Sequence, residues 1–303
     1  MKISVVIPTH NPQLGYLQRV LAGLQQQTLP RDQWELIVVD NASAPAVAGQ
    51  IDLSWHTVGR VVREERLGLT AARLAGFAAA RGEVIILVDD DNLLAPDFLA
   101  AVAQIGADFP FLGSWSGNVE LVFEPGVTQP PTAWRSYLTE RHCTQAVWSN
   151  DPSHNDSTPW GAGLCVRRAV SDSYRQRSER DPALLRLDLS GSNLVYGGDT
   201  DIAYHGCSLG LGKGLFPQLH LLHLIPPRRC ERDYLLRVIE GHAYSEWLHH
   251  WVQHKKIPVD ESTLAQRLKR AVRLLLADAD TRSAEQARVR GRQRAARELA
   301  AQP

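Results

Sequence analysis

Several common classes of protein are excluded by what this sequence has little of. It carries only four cysteines in 303 residues, Cys143, Cys165, Cys207 and Cys230. None is paired in a CxxC, so neither a structural zinc site nor a disulfide framework is expected. No apolar run approaches the roughly 18 residues that a bilayer-spanning helix needs. Met1 leads directly into the strand-like Ile3 to Ile7 without the basic start and apolar core of a secretory leader. A reducing, cytoplasmic setting is the expectation. An excess of one charge is missing too: 33 Lys and Arg stand against 33 Asp and Glu. That balance argues against a chain whose whole surface grips nucleic-acid phosphates. Nor does a glycine-rich, basic phosphate loop follow the first apolar run, where IPTHNPQLG (7–15) stands instead. This weighs against a nucleotidyltransferase.

What is present is enough apolar material, 44% of residues, to bury a large core. The first hundred residues alternate between two periodicities. ISVVI (3–7) is a β-branched strand stopped by Pro8, and Leu14, Leu17, Val20, Leu21 and Leu24 then repeat with helical spacing. ELIVVD (35–40) and VGRVVRE (58–64) are two further strands, and the alanine-rich helix 69–80 ends at Arg81-Gly82 before EVIILVD (83–89). Strands apolar on both faces and separated by helices belong to a parallel sheet covered on both sides. Right-handed crossovers then bring every strand's C-terminal end to one edge, where open α/β sheets bind ligands.

Three polar groups follow strands directly and should crowd that edge: Pro8-Thr9-His10-Asn11, Asp40-Asn41 and Asp89-Asp90-Asp91. Adjacent carboxylates repel and raise one another's pKa unless a cation lies among them. Mg²⁺ or Mn²⁺, completed by phosphate oxygens and water, would relieve that repulsion. A solvated acidic turn is the alternative.

IPTHN (7–11), ELIVVDNAS (35–43), GLTAARLAG (68–76), RGEVIILVDDDN (81–92) and GGDTDIAYH (197–205) together resemble the family 2 glycosyltransferases, in order from residue 3 to about residue 245. The resemblance implies a GT-A, Rossmann-like fold with a mostly parallel central sheet and flanking helices. It also implies inverting, metal-dependent transfer of a sugar from a nucleotide-diphospho-sugar to a hydroxyl, in bacterial polysaccharide or glycoconjugate assembly. Position by position, it places Pro8, Thr9 and Asn11 against the nucleotide, Asp40 on the base, and Asp89 and Asp90 near the ribose and cation. Asp91 becomes the ligand of Mn²⁺ or Mg²⁺, joined by a histidine that matches His223 better than His220. Arg73 is either a nucleotide contact or a helix-surface arginine.

Transfer also needs a base on the opposite face of the sugar. In YGGDTDIAYHG (196–206) the resemblance matches Asp199 to that base and Asp201 to a supporting carboxylate. Gly198 replaces the first acid of the usual pair, so Asp201 stays in reserve as base, and a catalytically silent sugar-nucleotide-binding or scaffold protein stays open as an alternative. Arg228 and Arg229 either stabilise the leaving group or begin the next helix. WGAGLCVRR (160–168) resembles the acceptor-side segment, with Trp160 and Gly161 as acceptor contacts. Trp115, Trp134 and Trp148 are expected in the core. NDPSHNDSTP (150–159) is expected to be a mobile lid.

The expected division is a nucleotide-sugar-binding and catalytic domain, 1–232, and a helical extension, 233–303. From Ser262 onward ten basic residues face four acidic ones. Leu264, Leu268, Val272 and Leu275 or Leu276 form an apolar stripe opposite arginines, suited to an anionic membrane surface and a lipid-linked saccharide acceptor, to the catalytic domain, or to a second subunit. No nucleic-acid partner is expected.

Overall fold

The structure, a computed structural model, describes residues 2–187, 194–258 and 263–301. Its strands are β1 (Ile3–Thr9), β2 (Trp34–Asn41), β3 (Arg60–Glu64), β4 (Val84–Leu87), β5 (Asn92–Leu94), β6 (Leu112–Phe123), β7 (Val147–Ser149), β8 (Leu164–Arg167) and β9 (Gly212–Ile225). The helices are α1 (Leu14–Gln25), α2 (Leu69–Ala79), α3 (Phe98–Asp108), α4 (Thr132–Arg135), α5 (Arg168–Arg180), α6 (Gly198–Ser208), α7 (Pro227–Cys230), α8 (Arg232–His254), α9 (Leu264–Leu276) and α10 (Ala279–Ala300).

All the strands join one sheet in the order β3-β2-β1-β4-β8-β6-β9-β5, with β7 also on β9. The half made of β3, β2, β1 and β4 is parallel throughout. Beyond β4 the sheet is mixed, since β8 runs antiparallel to β4 and β6 while β6 and β9 run parallel. The strict side-chain alternation of a pleat explains why the first strands are apolar on both faces. Ile3, Val5, Ile7, Leu36, Val38, Val84 and Ile86 enter one core with α1 and α3. Val6, Ile37, Val39, Ile85 and Leu87 enter the other, with α2, α5 and side chains of α8 such as Tyr244, Leu248 and Val252. Strand β1 runs through Pro8 rather than stopping there, pairing Pro8 with Val39. Its ladder to β4 ends at Val6, so on that side the missing proline N–H forfeits no bond.

A third cluster joins Leu121 and Ile225, at the ends of β6 and β9, to Trp134, Leu138, Leu235, Ile239, Ala284 and Ala287. Helices α8 and α10 approach closely where α10 carries Gly291: a Cβ there would lie 2.2 Å from the Glu240 carbonyl oxygen. Trp115 and Trp134 are buried as expected, but Trp148 is 50% exposed. It sits on the short β7 and packs on Phe109 and Phe111, with ring centroids 5.4 and 6.3 Å away, so it shields a rim rather than filling the core.

Candidate active site

The C-terminal ends of β1 and β2 are laced together before any ligand is considered. Asn11 takes a left-handed φ of 49°, a region asparagine tolerates better than most residues. Its Oδ1 accepts from Ala44 N at 2.9 Å, while its own N–H donates to Ser43 Oγ at 2.9 Å. Asp40 accepts from Ser43 N, Val47 N and Arg63 Nη1 at 2.9, 3.0 and 2.8 Å. With the Ser43 hydroxyl, which also hydrogen-bonds this carboxyl, these donors fill the roughly four lone-pair directions a carboxylate offers. Arg63 and the backbone donors hold the Asp40 carboxyl below its ordinary range against the upward push of burial. Pro8 is buried in β1 next to Thr9, whose hydroxyl donates to Asp90.

After β4 the three aspartates divide by environment. Burial, and then the Asp91 charge, push Asp90 up to about 7 against the Thr9 hydrogen bond, and Asp89 is raised for the same two reasons. Burial pushes Asp91 up as well, yet the His223 and Arg229 charges override it and hold Asp91 at about 2. Asp91 Oδ2 lies 3.4 Å from His223 Nε2 and 3.0 Å from Arg229 Nη1. Strand pairing produces this meeting: β5 runs antiparallel to β9, with Asn92 opposite His223. His220, three residues earlier, turns outward, 3.6 Å from Glu120.

These residues fit a divalent cation on one observation. His223 Nδ1 lies 2.9 Å from the Leu138 carbonyl oxygen and 3.0 Å from Thr139 Oγ1, which leaves Nε2 as the ring nitrogen that faces Asp91. A neutral imidazole with its proton on Nδ1 would offer Nε2 to a cation shared with the Asp91 carboxylate. In the structure Arg229 Nη1 takes that place, 3.1 Å from Nε2. An imidazole nitrogen and a carboxylate oxygen suit Mn²⁺ or Mg²⁺ when phosphate and water complete the sphere. Among the described residues no set of three His, Cys, Asp or Glu side chains could hold a metal alone, so the ligand's own oxygens would have to contribute.

On the other side stands Asp199, in the first turn of α6, where a carboxylate is favoured by the helix dipole. Gly197 precedes it at φ 129°, which only glycine adopts without strain. Helix α2 brings Arg73 to the same place as a buried side chain, not as a surface arginine. Gly161 marks the convergence: a Cβ built there would lie 2.9 Å from Arg73 Nη2 and 3.2 Å from Asp199 Oδ2. Arg73 in turn opposes the raised pKa of Asp89, as do His223 and Arg229. The first carboxylate of the triplet thus feels both halves of the site. Because both groups crowding Gly161 belong to the site, Gly161→Ala should lower kcat/KM by about 10-fold or more through displacement of Arg73. An unchanged steady-state rate would show the contact to be slack.

Asp201 is oriented differently. It is fully buried and accepts from Arg177 Nη1 at 3.0 Å, with His249 Nε2 3.2 Å away. These three residues line a separate cavity of about 920 Å³ between α5, α6 and α8. Burial raises its pKa, but the His249 hydrogen bond and the Arg177 charge lower it overall. A depressed folded-state pKa contributes stability that is present above the unfolded value and lost as pH falls through the folded one. Asp201→Asn should therefore cost about 2–3 kcal/mol at pH 7, below the range for a fully buried pair because Arg177 is partly exposed. Urea unfolding of the two proteins should converge below about pH 4, and equal stability at pH 7 would contradict the pairing.

Two acceptor-side stretches carry contacts of their own. The Arg141 guanidinium carbon lies 3.4 Å from the Trp160 ring centroid, so a cation covers one face of that ring. The 150–159 segment accepts three hydrogen bonds from the body of the fold. Lys213, fully buried, donates to Ser153 O at 3.0 Å and Asn155 Oδ1 at 3.1 Å, and Arg141 Nη1 donates to Thr158 O at 2.7 Å. Sequence reading passed over Arg141 and His242, which lie in stretches without a distinguishing pattern. Burial lowers Arg141 to about 10 against the opposing charges of Cys143, Asp199 and Asp156. His242 stacks on Tyr196 at 4.2 Å and 7°, and burial drives it down to about 4, opposed by Asp199. It is a neutral wall at pH 7.

Comparison with known proteins finds similarity in sequence over the first part of the chain and in fold over most of it. Residues 4–117 fit the family model for glycosyl transferase family 2. Glycosyltransferase AglE of Haloferax volcanii is 27% identical over 133 residues, 42% of each chain. A poly(ribitol-phosphate) beta-glucosyltransferase of Bacillus spizizenii is 32% identical over 103 residues, 33% of this chain and 16% of that one. The chain thus spans less than half the length of these relatives. Among solved structures, residues 1–349 of S. aureus TarS, in complex with UDP-GlcNAc, superpose with a TM-score of 0.51 at 16% identity, covering 95% of this chain and 79% of that one. That likeness concerns the fold, which is of the GT-A type. Residues 4–117, which carry β1 to β5 and the start of β6, are thus similar to family 2 glycosyltransferases.

Proposed function

We propose that this chain transfers a sugar, with inversion, from a nucleoside-diphospho-sugar to a hydroxyl of a saccharide or lipid-linked saccharide acceptor in polysaccharide assembly. Asp91 and His223 would hold Mn²⁺ or Mg²⁺, and Asp199 would act as the base. The observation that carries this reading is the meeting of two charged groups from distant parts of the chain. Asp91, His223 and Arg229 lie within 3.4 Å of one another, and Arg73, which faces the Asp89 charge, shares the space beside Gly161 with Asp199.

Each group has a defined task. Thr9, Asn11 and the Asp40 turn form the floor for the nucleoside, with Asp89 and Asp90 at its diphosphate end. A divalent cation there supplies charge neutralisation for the departing diphosphate. Arg229 and Arg73 are cations whose charges both reach Asp89, suited to phosphate oxygens. As the bond from the anomeric carbon to the diphosphate oxygen breaks, the acceptor oxygen forms the new bond from the opposite face. Asp199 takes that hydroxyl's proton. A single displacement of this kind inverts the anomeric centre. The homologous poly(ribitol-phosphate) beta-glucosyltransferase and the UDP-GlcNAc complex of TarS favour a uridine nucleotide and a polymeric acceptor.

A panel of nucleotide sugars, incubated with Mn²⁺ and assayed for released nucleoside diphosphate, tests the reading. At least one donor should be both stabilising in a thermal shift and slowly cleaved. A protein that is stabilised by donors but cleaves none of them is a silent binder, the alternative that Gly198 keeps open.

A further inference from the structure

Helix α9 is anomalous for a surface helix. Its apolar residues Leu264, Leu268, Val272, Leu275 and Leu276 are 74, 58, 55, 79 and 84% exposed. On a helical wheel they fill one arc of about 120°. An exposed apolar stripe of that extent calls for a partner. The thirteen residues, LAQRLKRAVRLLL, include four basic side chains and no acidic one. Lys269 and Arg273 are exposed beside the stripe, while the side chains of Arg267 and Arg270 lie outside the described residues. Where α9 leans on α10, a groove of about 510 Å³ adds Leu274 and Val289 as apolar lining, with Arg282 and Arg290 among its basic residues. The groove's acid, Glu285, is paired with Arg288 at 3.2 Å.

We propose that α9, together with its groove against α10, is a docking face for an anionic lipid bilayer. The helix lies in the plane of the interface, with the leucine stripe among the acyl chains and the basic arc against the headgroups. Length supports this orientation, since thirteen residues extend about 20 Å, short of a hydrocarbon core. No described helix is long and apolar enough to cross a membrane. Charge selects the partner. Two copies meeting through this face about a twofold axis would set two acid-free, basic helices against each other, whereas anionic headgroups neutralise them. The inference goes beyond sugar transfer and stands without it.

The test is flotation of the whole chain with vesicles of phosphatidylcholine alone and of phosphatidylcholine mixed in equal parts with phosphatidylglycerol. Wild-type protein should float with the mixed vesicles at least about tenfold better than with the neutral ones. Leu268→Glu/Leu275→Glu should abolish flotation, and so should Lys269→Glu/Arg273→Glu, which leaves the stripe intact. Asp199→Asn should float like the wild type. No flotation, equal flotation with neutral vesicles, or a dimer in light scattering that Leu268→Glu/Leu275→Glu dissociates would each overturn the proposal, the last by showing a second copy on the stripe.

Discussion

Replacing Asp91 by asparagine should lower the affinity for a nucleoside diphosphate in Mn²⁺ by more than about 100-fold. Groups that merely support a metal ligand are worth about 10–100-fold in affinity, and Asp91 is proposed as a direct ligand. Asparagine keeps the shape and can still accept from Arg229, but it loses the charge that a divalent cation requires. The fold should survive. Burial and the Asp91 charge together hold Asp90 at about 7, so once that charge is gone Asp90 ionises more readily. Asp89 and Asp90 both favour the Arg229 charge, so the partly exposed guanidinium keeps negative company. Titration calorimetry with and without Mn²⁺ measures the effect, and thermal unfolding without metal provides the control. Wild-type affinity in the variant, with Mn²⁺ still required, would remove Asp91 from the metal.

Asp199→Asn should leave donor binding intact and reduce kcat by about 10²–10⁴, the usual contribution of a positioned base. Asparagine preserves the oxygen that accepts from Thr200 N at 2.9 Å, so the first turn of α6 keeps its form. What disappears is the ability to take a proton. Asp201→Asn is the comparison, because its carboxylate is spent on Arg177 and His249. Its loss should appear in unfolding and not in the chemical step once the protein is folded. Turnover that persists in Asp199→Asn and vanishes in folded Asp201→Asn would move the base two residues along the helix.

The sequence shows the parallel half of the sheet and the edge where polar groups gather, because strands buried on both faces must be apolar at successive positions. Asp89, Asp90 and Asp91 stand out for the same reason: they end such a run. Pairings between remote strands leave no comparable mark. Nothing local to β9 states that it lies against β5, yet that register brings His223 to Asp91. Arg141 is a similar case. It comes from an irregular stretch that bridges to Val119 on β6, and only the folded chain sets it over Trp160. Asp199 and Asp201 look alike in sequence, two positions apart. The helix turns them to different surroundings, one beside Gly161 and Arg73, the other inward to Arg177. The same projection exposes the α9 stripe, readable as amphipathic in sequence but placed outside the cores only by the packing of α10 on α8.

Anomalous diffraction at the manganese edge, from crystals grown with Mn²⁺ and a nucleoside diphosphate, tests the account at its centre. One strong peak should lie within coordination distance of an Asp91 oxygen and His223 Nε2, about 2.0–2.3 Å, with Arg229 moved onto phosphate and the diphosphate's outer end facing Asp199. A nucleotide bound with no metal beside Asp91, or a diphosphate pointing away from Asp199, would contradict it.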